Sequence, residues 1–175
     1  MKRIQTIFLL LAGLISLHSP AHGQKNAGKE ILIRFQDSAR DEYGYINLHG
    51  DTVIPEGKYS FCFTDTFRTY AIVATDKAFV GIDRKENILY TVFPFDNGPD
   101  YVEDGLFRIV ENGKIGYADS ATGKIVIRPQ FTCARPFENG VAKVSMECQK
   151  IPDGEHWTWD SNKWFYIDKK GRKVK

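Results

Sequence analysis

One internal period constrains this chain more than any other feature. The segments Tyr43-Gly44-Tyr45-Ile46-Asn47, Phe79-Val80-Gly81-Ile82-Asp83, Ile115-Gly116-Tyr117-Ala118-Asp119 and Trp164-Phe165-Tyr166-Ile167-Asp168 are variants of one theme. Their aligned positions Ile46, Ile82, Ala118 and Ile167 lie 36, 36 and 49 residues apart. Two equal intervals followed by a longer one are what a repeat with a single insertion produces. Each segment leads through a short polar loop, with Gly in three of four copies, into a second apolar run, which predicts a β-hairpin. The Asn or Asp closing the first strand suits that turn, because its side chain can accept a backbone hydrogen bond from two residues on.

A third β-rich run recurs at 67–73, 102–109 and 137–144, so the unit is about three strands in 36 residues. Ile31 to Phe35 reads as the third strand of a preceding, missing copy, and Trp164 to Lys175 as a first hairpin with nothing after it. The expected fold is all-β, a repeat protein of three-stranded antiparallel units arranged as a twisted meander or solenoid. The alternative is a closed, propeller- or barrel-like arrangement in which Ile31 to Phe35 pairs beside the terminal hairpin. Composition agrees with strands: beyond Gly23 there are four leucines against 22 of the chain's 23 aromatic residues.

These segments, together with Gly-Lys-Ile-Val-Ile-Arg-Pro-Gln-Phe (Gly123 to Phe131) and Pro-Phe-Glu-Asn-Gly-Val-Ala-Lys-Val (Pro136 to Val144), resemble bacterial WG repeats. The likeness covers about residues 43–175 and is fullest in the third unit. It departs at the name-giving Trp, which is Tyr43, Val80, Ile115 and Trp164, and at the Gly replaced by Phe165. The resemblance implies a β-rich repeat domain that mediates interactions, and it brings no catalytic residues.

The organisation expected is a signal peptide at 1–23, an N-terminal arm and half-repeat strand at 24–42, and a repeat domain at 43–175 with an insertion at 146–163. Lys2 and Arg3 precede an apolar stretch, Ile4 to Leu17, and Ala21-His22-Gly23 forms a small-x-small cleavage site. A secreted or periplasmic protein without stable membrane insertion is the expectation, since the stretch is shorter than a spanning helix. The formal net charge of +2 equals those two leader charges. The remainder is balanced, which speaks against nucleic acid as a partner. Three cysteines, Cys62, Cys133 and Cys148, form no C-x-x-C. Buried unpaired thiols are expected; Cys62 and Cys133 should not be joined, and Cys133 with Cys148 is the one bridge entertained.

No nucleophile elbow, phosphate loop or metal-ligand spacing occurs, so no catalytic residue, metal or cofactor is assigned. The acidic stretch Asp96 to Gly105 reads as a solvated loop, and the basic end, Lys169 to Lys175, as a fraying terminus. The insertion holds the candidate binding residues. Trp157 and Trp159 fall on one face if their segment is extended, beside His156 and Asp160, with Trp164 just beyond. They can fold back as a lid on the repeat core or present a site. The expected role is a non-catalytic interaction or scaffold module for another protein or surface macromolecule; the alternative is a carbohydrate-binding module, and less so a hydrolase.

Overall fold

The computed structural model describes residues 30–154 and 156–174. The expected signal peptide and arm residues 24–29 lie outside the described residues. All regular structure is strand, with no helix among the described residues. The chain runs through β1 (Leu32–Asp37), β2 (Glu42–Ile46) and β3 (Thr52–Ile54), then a connector with β4 (Phe61–Cys62) and β5 (Thr66–Phe67). Next come β6 (Ala71–Ala74), β7 (Phe79–Ile82) and β8 (Ile88–Val92), and a connector with β9 (Pro94–Phe95) and β10 (Gly98–Pro99). The second half holds β11 (Leu106–Glu111), β12 (Lys114–Asp119), β13 (Ile125–Phe131), the connector strand β14 (Cys133–Glu138) and β15 (Val141–Ser145). It ends with the inserted hairpin β16 (Gln149–Asp153) and β17 (His156–Asp160), then β18 (Phe165–Asp168) and β19 (Lys173–Val174).

Pairing sorts these strands into four antiparallel meanders: β1-β2-β3, β6-β7-β8, β11-β12-β13 and β15-β18-β19. The register repeats, with Ile33 opposite Ile46, Ala71 opposite Ile82, Phe107 opposite Ala118 and Ala142 opposite Ile167. At each β-turn the side chain of Asn47, Asp83, Asp119 or Asp168 accepts a hydrogen bond from a backbone N–H two or three residues on, from His49, Lys85, Thr122 and Lys170. The same residue's own N–H closes the loop onto Asp51, Asn87, Lys124 and Arg172. The Asx device read from the sequence therefore recurs in all four copies.

Neighbouring meanders share a core. The first and second enclose Leu32, Tyr45, Ile54, Cys62, Phe67, Ala71, Val73, Val80 and Ile82. Tyr90, Val92, Phe107, Ile109 and Ala118 lie between the second and third. A third cluster, centred on Tyr117, Phe131, Phe137, Val144 and Ile167, joins the third and fourth. A single three-stranded sheet buries too little to stand alone, whereas each added neighbour covers one more apolar face.

Several expectations are corrected. β1 is not a remnant of a missing copy: it pairs with β2 and with β5, opening the first meander. The half-units disappear once each third run is grouped with the hairpin that follows it. The expected open arrangement holds, since β1 makes no pair with the terminal β18-β19 hairpin, and the sheet orders are β3-β2-β1-β5, β13-β12-β11-β8-β7-β6-β4 and β14-β15-β18-β19. Cys133 and Cys148 are bonded, with Cα atoms 6.2 Å apart, whereas Cys62 is a buried free thiol. The described part of the basic end, residues 169–174, is tied down: β19 pairs with β18, Lys169 Nζ donates to the Asp104 carbonyl at 2.6 Å, and Arg172 pairs with Asp168 at 2.6 Å.

The Asp96 to Gly105 stretch is not wholly solvated either. Asp100 is buried and takes three hydrogen bonds from Arg108, from its backbone N (2.8 Å), its Nε (2.9 Å) and its Nη2, while Arg108 Nη1 donates to the Ala134 carbonyl at 3.1 Å. The guanidinium also lies 4.2 Å from the centroid of Phe93. A charge held this far from water requires such a full set of partners.

Candidate functional site

In the first and third meanders a tyrosine in the middle strand ties the sheet to the connector after it. Tyr45 in β2 is fully buried, its hydroxyl donates to the Thr64 carbonyl at 2.8 Å, and its ring meets Phe67 edge-on at 5.3 Å. Tyr117 in β12 repeats this: the hydroxyl donates to the Arg135 carbonyl at 2.6 Å and the ring meets Phe137 edge-on at 4.7 Å. Burial raises the pKa of both phenols, which keeps them protonated as donors. In the second meander this position is Gly81. The turn residue Asp83 aligns Phe79, and not Val80, with Tyr43, Ile115 and Trp164. Tyr90, directly across in β8, lays its ring over Gly81 and donates to the Gly123 carbonyl at 3.0 Å.

The fourth copy of the tyrosine is Tyr166, and it is 47% exposed. With Lys143 opposite it in register, Tyr166 lines an open groove of about 770 Å³ whose other walls include Arg135, Phe137, Glu138 and Val141. Lys143 Nζ sits 5.3 Å from the centroid of the half-buried Trp164. Lys143 occupies the register position of Arg34 and Arg108, both of which have carboxylate partners: Asp65 at 2.7 Å for Arg34, and Asp100 for Arg108. Among the described residues no carboxylate stands within ion-pair distance of Lys143. On this face of the fourth meander the tyrosine position is thus open to solvent, where Tyr45, Gly81 and Tyr117 are buried, while Lys143 and Trp164 are half-buried.

The inserted hairpin reaches one wall of this groove through Arg135, whose Nη2 donates to the Thr158 hydroxyl at 3.3 Å. Its register places Trp157 and Trp159 on one face with Lys150 and Pro152, while His156, Thr158 and Asp160 lie on the other. Trp159 packs against the third core, edge-on to Phe93 at 5.7 Å, with the Arg135 guanidinium 5.7 Å from its ring. Trp157 remains 46% exposed, 5.5 Å from Trp159, with Lys150 Nζ 3.8 Å from its centroid. Trp159 is therefore the lid and Trp157 is not, and neither covers Tyr166. Trp164 belongs to a different surface, beside Lys143, and His156 and Asp160 share no face with the tryptophan pair.

The hairpin is anchored at its base. The Ser145 and Ser161 hydroxyls both donate to the Glu147 carbonyl, at 2.7 and 2.6 Å, Lys163 pairs with Glu147 at 2.6 Å, and the Cys133–Cys148 bridge ties Cys148 to β14. The sequence reading missed Tyr166, Lys143 and Arg135. The available signal was that Tyr166 repeats Tyr45 and Tyr117 at the same place in the unit.

Residues 115–147 match the family model described as WG containing repeat. That stretch begins with the middle strand of the third meander and ends just after the first strand of the fourth, so it contains the whole Tyr117–Arg135 junction. No curated protein and no solved structure matches the chain. Among the described residues no group of three or more His, Cys, Asp or Glu side chains is arranged to hold a metal ion, and no helix is long and apolar enough to cross a membrane.

Proposed function

We propose that this chain is an exported, non-catalytic repeat module that holds a protein partner against the open face of its last meander. The observation that carries the reading is Tyr166, exposed at a position whose counterparts Tyr45, Gly81 and Tyr117 are buried by the chain itself, with the half-buried Lys143 and Trp164 beside it. An exposed aromatic side chain next to a cation, on a rigid sheet, supplies large contact area at small entropic cost. The WG repeat match over residues 115–147 supports a repeat module used for binding, and a disulfide at the base of the insertion supports an oxidising compartment, in line with the leader.

The test is to pass surface material of the exporting cell over the immobilised protein and over a Lys143→Ala/Trp164→Ala variant of equal thermal stability. The reading expects proteins retained by the first and released by the second; equal retention by both overturns it. The carbohydrate reading rests on the half-exposed ring of Trp157. Lys150 already covers that ring, which leaves less of it for a sugar to stack on. A glycan titration that quenches tryptophan fluorescence in the wild type and not in Trp157→Ala is the result that would favour it.

A further inference from the structure

We infer that the Tyr166 groove binds an extended peptide carrying an acidic residue followed two positions later by an aromatic one. This rests on the interaction role proposed above and names the ligand chemistry. The chain carries its own example of the bound state. Within Thr64-Asp65-Thr66-Phe67, the Thr64 carbonyl accepts the Tyr45 hydroxyl, the Asp65 carboxylate pairs with Arg34, and the Phe67 ring packs edge-on to Tyr45. Arg135-Pro136-Phe137 gives the same carbonyl and aromatic contacts to Tyr117, while Asp100 supplies the carboxylate to Arg108.

In the fourth meander the receiving groups are in place: Tyr166 for the carbonyl and ring, and Lys143, in the register position of Arg34, for the carboxylate. Charge complementarity selects the acid, since Lys143 is the member of this cationic series without a carboxylate partner among the described residues. Glu138, opposite Val141, stands one same-face position from Lys143, and Glu103 also lines the groove, so a second acid in the peptide is disfavoured. Mixed pairing of this kind, with backbone and side chain both used, gives affinity and specificity together.

The experiment uses the full chain and a labelled synthetic peptide containing Thr-Asp-Thr-Phe between Gly-Ser flanks, followed by fluorescence anisotropy. Saturable binding is expected. Replacing the peptide's Asp by Asn or its Phe by Ala, or introducing Tyr166→Phe or Lys143→Ala in the protein, should each weaken binding about fivefold or more, as loss of one such contact does. Both protein variants should melt with the wild type, because their side chains are outside the core. Lys143→Asp should bind a peptide with Lys in place of Asp better than the original peptide. Absence of saturable binding, or binding indifferent to Lys143 and Tyr166, overturns the inference. So does concentration-dependent self-association of the full chain that Tyr166→Phe abolishes, since the occupant would then be a second copy. Capture of surface proteins that survives Tyr166→Phe while peptide binding is absent keeps the broader role and overturns only the peptide mode.

Discussion

The Tyr117 hydroxyl donates to the backbone carbonyl of Arg135 at 2.6 Å, joining the middle strand of one meander to the connector that begins the next. Tyr45 makes the equivalent bond to Thr64. Tyr117→Phe leaves the Arg135 carbonyl without this donor at the edge of the core and should cost about 1–2 kcal/mol in urea unfolding. Tyr166→Phe, at the exposed copy of the position, should stay within about 0.5 kcal/mol of wild type. Equal losses in the two variants would show that the junction bond contributes nothing of its own.

Gly44 and Gly116 stand where the neighbouring strand's backbone crosses: a Cβ at Gly44 would meet the Ile54 carbonyl, and one at Gly116 the Ile127 carbonyl and Pro129. Ala at either site has to push backbone aside, and a destabilisation of about 1–3 kcal/mol is expected. Gly98, with open space around it, serves as the control. Thermal melts of the three variants decide the matter.

Asp100→Ala strands the Arg108 guanidinium in the interior without its carboxylate. Breaking a buried pair from one side should cost about 3–5 kcal/mol. Replacing both residues, as Asp100→Leu with Arg108→Met, is expected to recover much of that loss. A single variant as stable as wild type would mean that water reaches Arg108.

Asp83, Asp119 and Asp168 have pKa values lowered by the hydrogen bonds they accept, chiefly from the side chains of Asn87, Thr122 and Arg172. Because the folded values lie below the unfolded value of about 3.9, protonation favours the unfolded chain. Their contribution is therefore complete above about pH 4 and disappears as pH falls through the folded values. Asn47 fills the same turn position without titrating, so a triple Asp→Asn variant retains the oxygen acceptors. Its urea midpoint should fall less between pH 5 and pH 3 than that of wild type. A parallel fall in both would place the acid sensitivity elsewhere.

The Cys133–Cys148 bridge closes a short loop of sequence separation 15, worth about 3 kcal/mol on the chain-entropy scale. Reduction should lower Tm by about 6–12 °C for a domain of this size. Cys62, whose thiol burial pushes up to about 11, should ignore a thiol reagent at pH 8 in the native protein. One thiol is expected on unfolding without reductant and three after reduction.

The strands, their three-per-unit count and the Asx turns were legible in the sequence because they depend on local chemistry: alternation, β-branched and aromatic content, and a side-chain oxygen placed to accept nearby N–H groups. The 36-residue period was legible for the same reason. Its phase was not. Eight of the ten residues in the third core, from Ile115 to Val144, fall within 115–147, so the stretch that repeats in sequence is a junction between two sheets and not a sheet. Selecting complementary side chains marks the junction, whereas backbone pairing within a meander leaves little trace in residue identity.

The sequence by itself thus determined an all-β repeat with one insertion. Only the tertiary structure decided which copies of a repeated residue are covered. Tyr45, Tyr117 and Tyr166 look alike in sequence, and they differ because burial depends on what lies beyond the sheet. A connector covers the first two, whereas nothing among the described residues covers the third. For the same reason the tryptophans that stood out in the sequence divide between core and surface: Trp159 is packed onto Phe93, and Trp164 is left beside Lys143 on the open face.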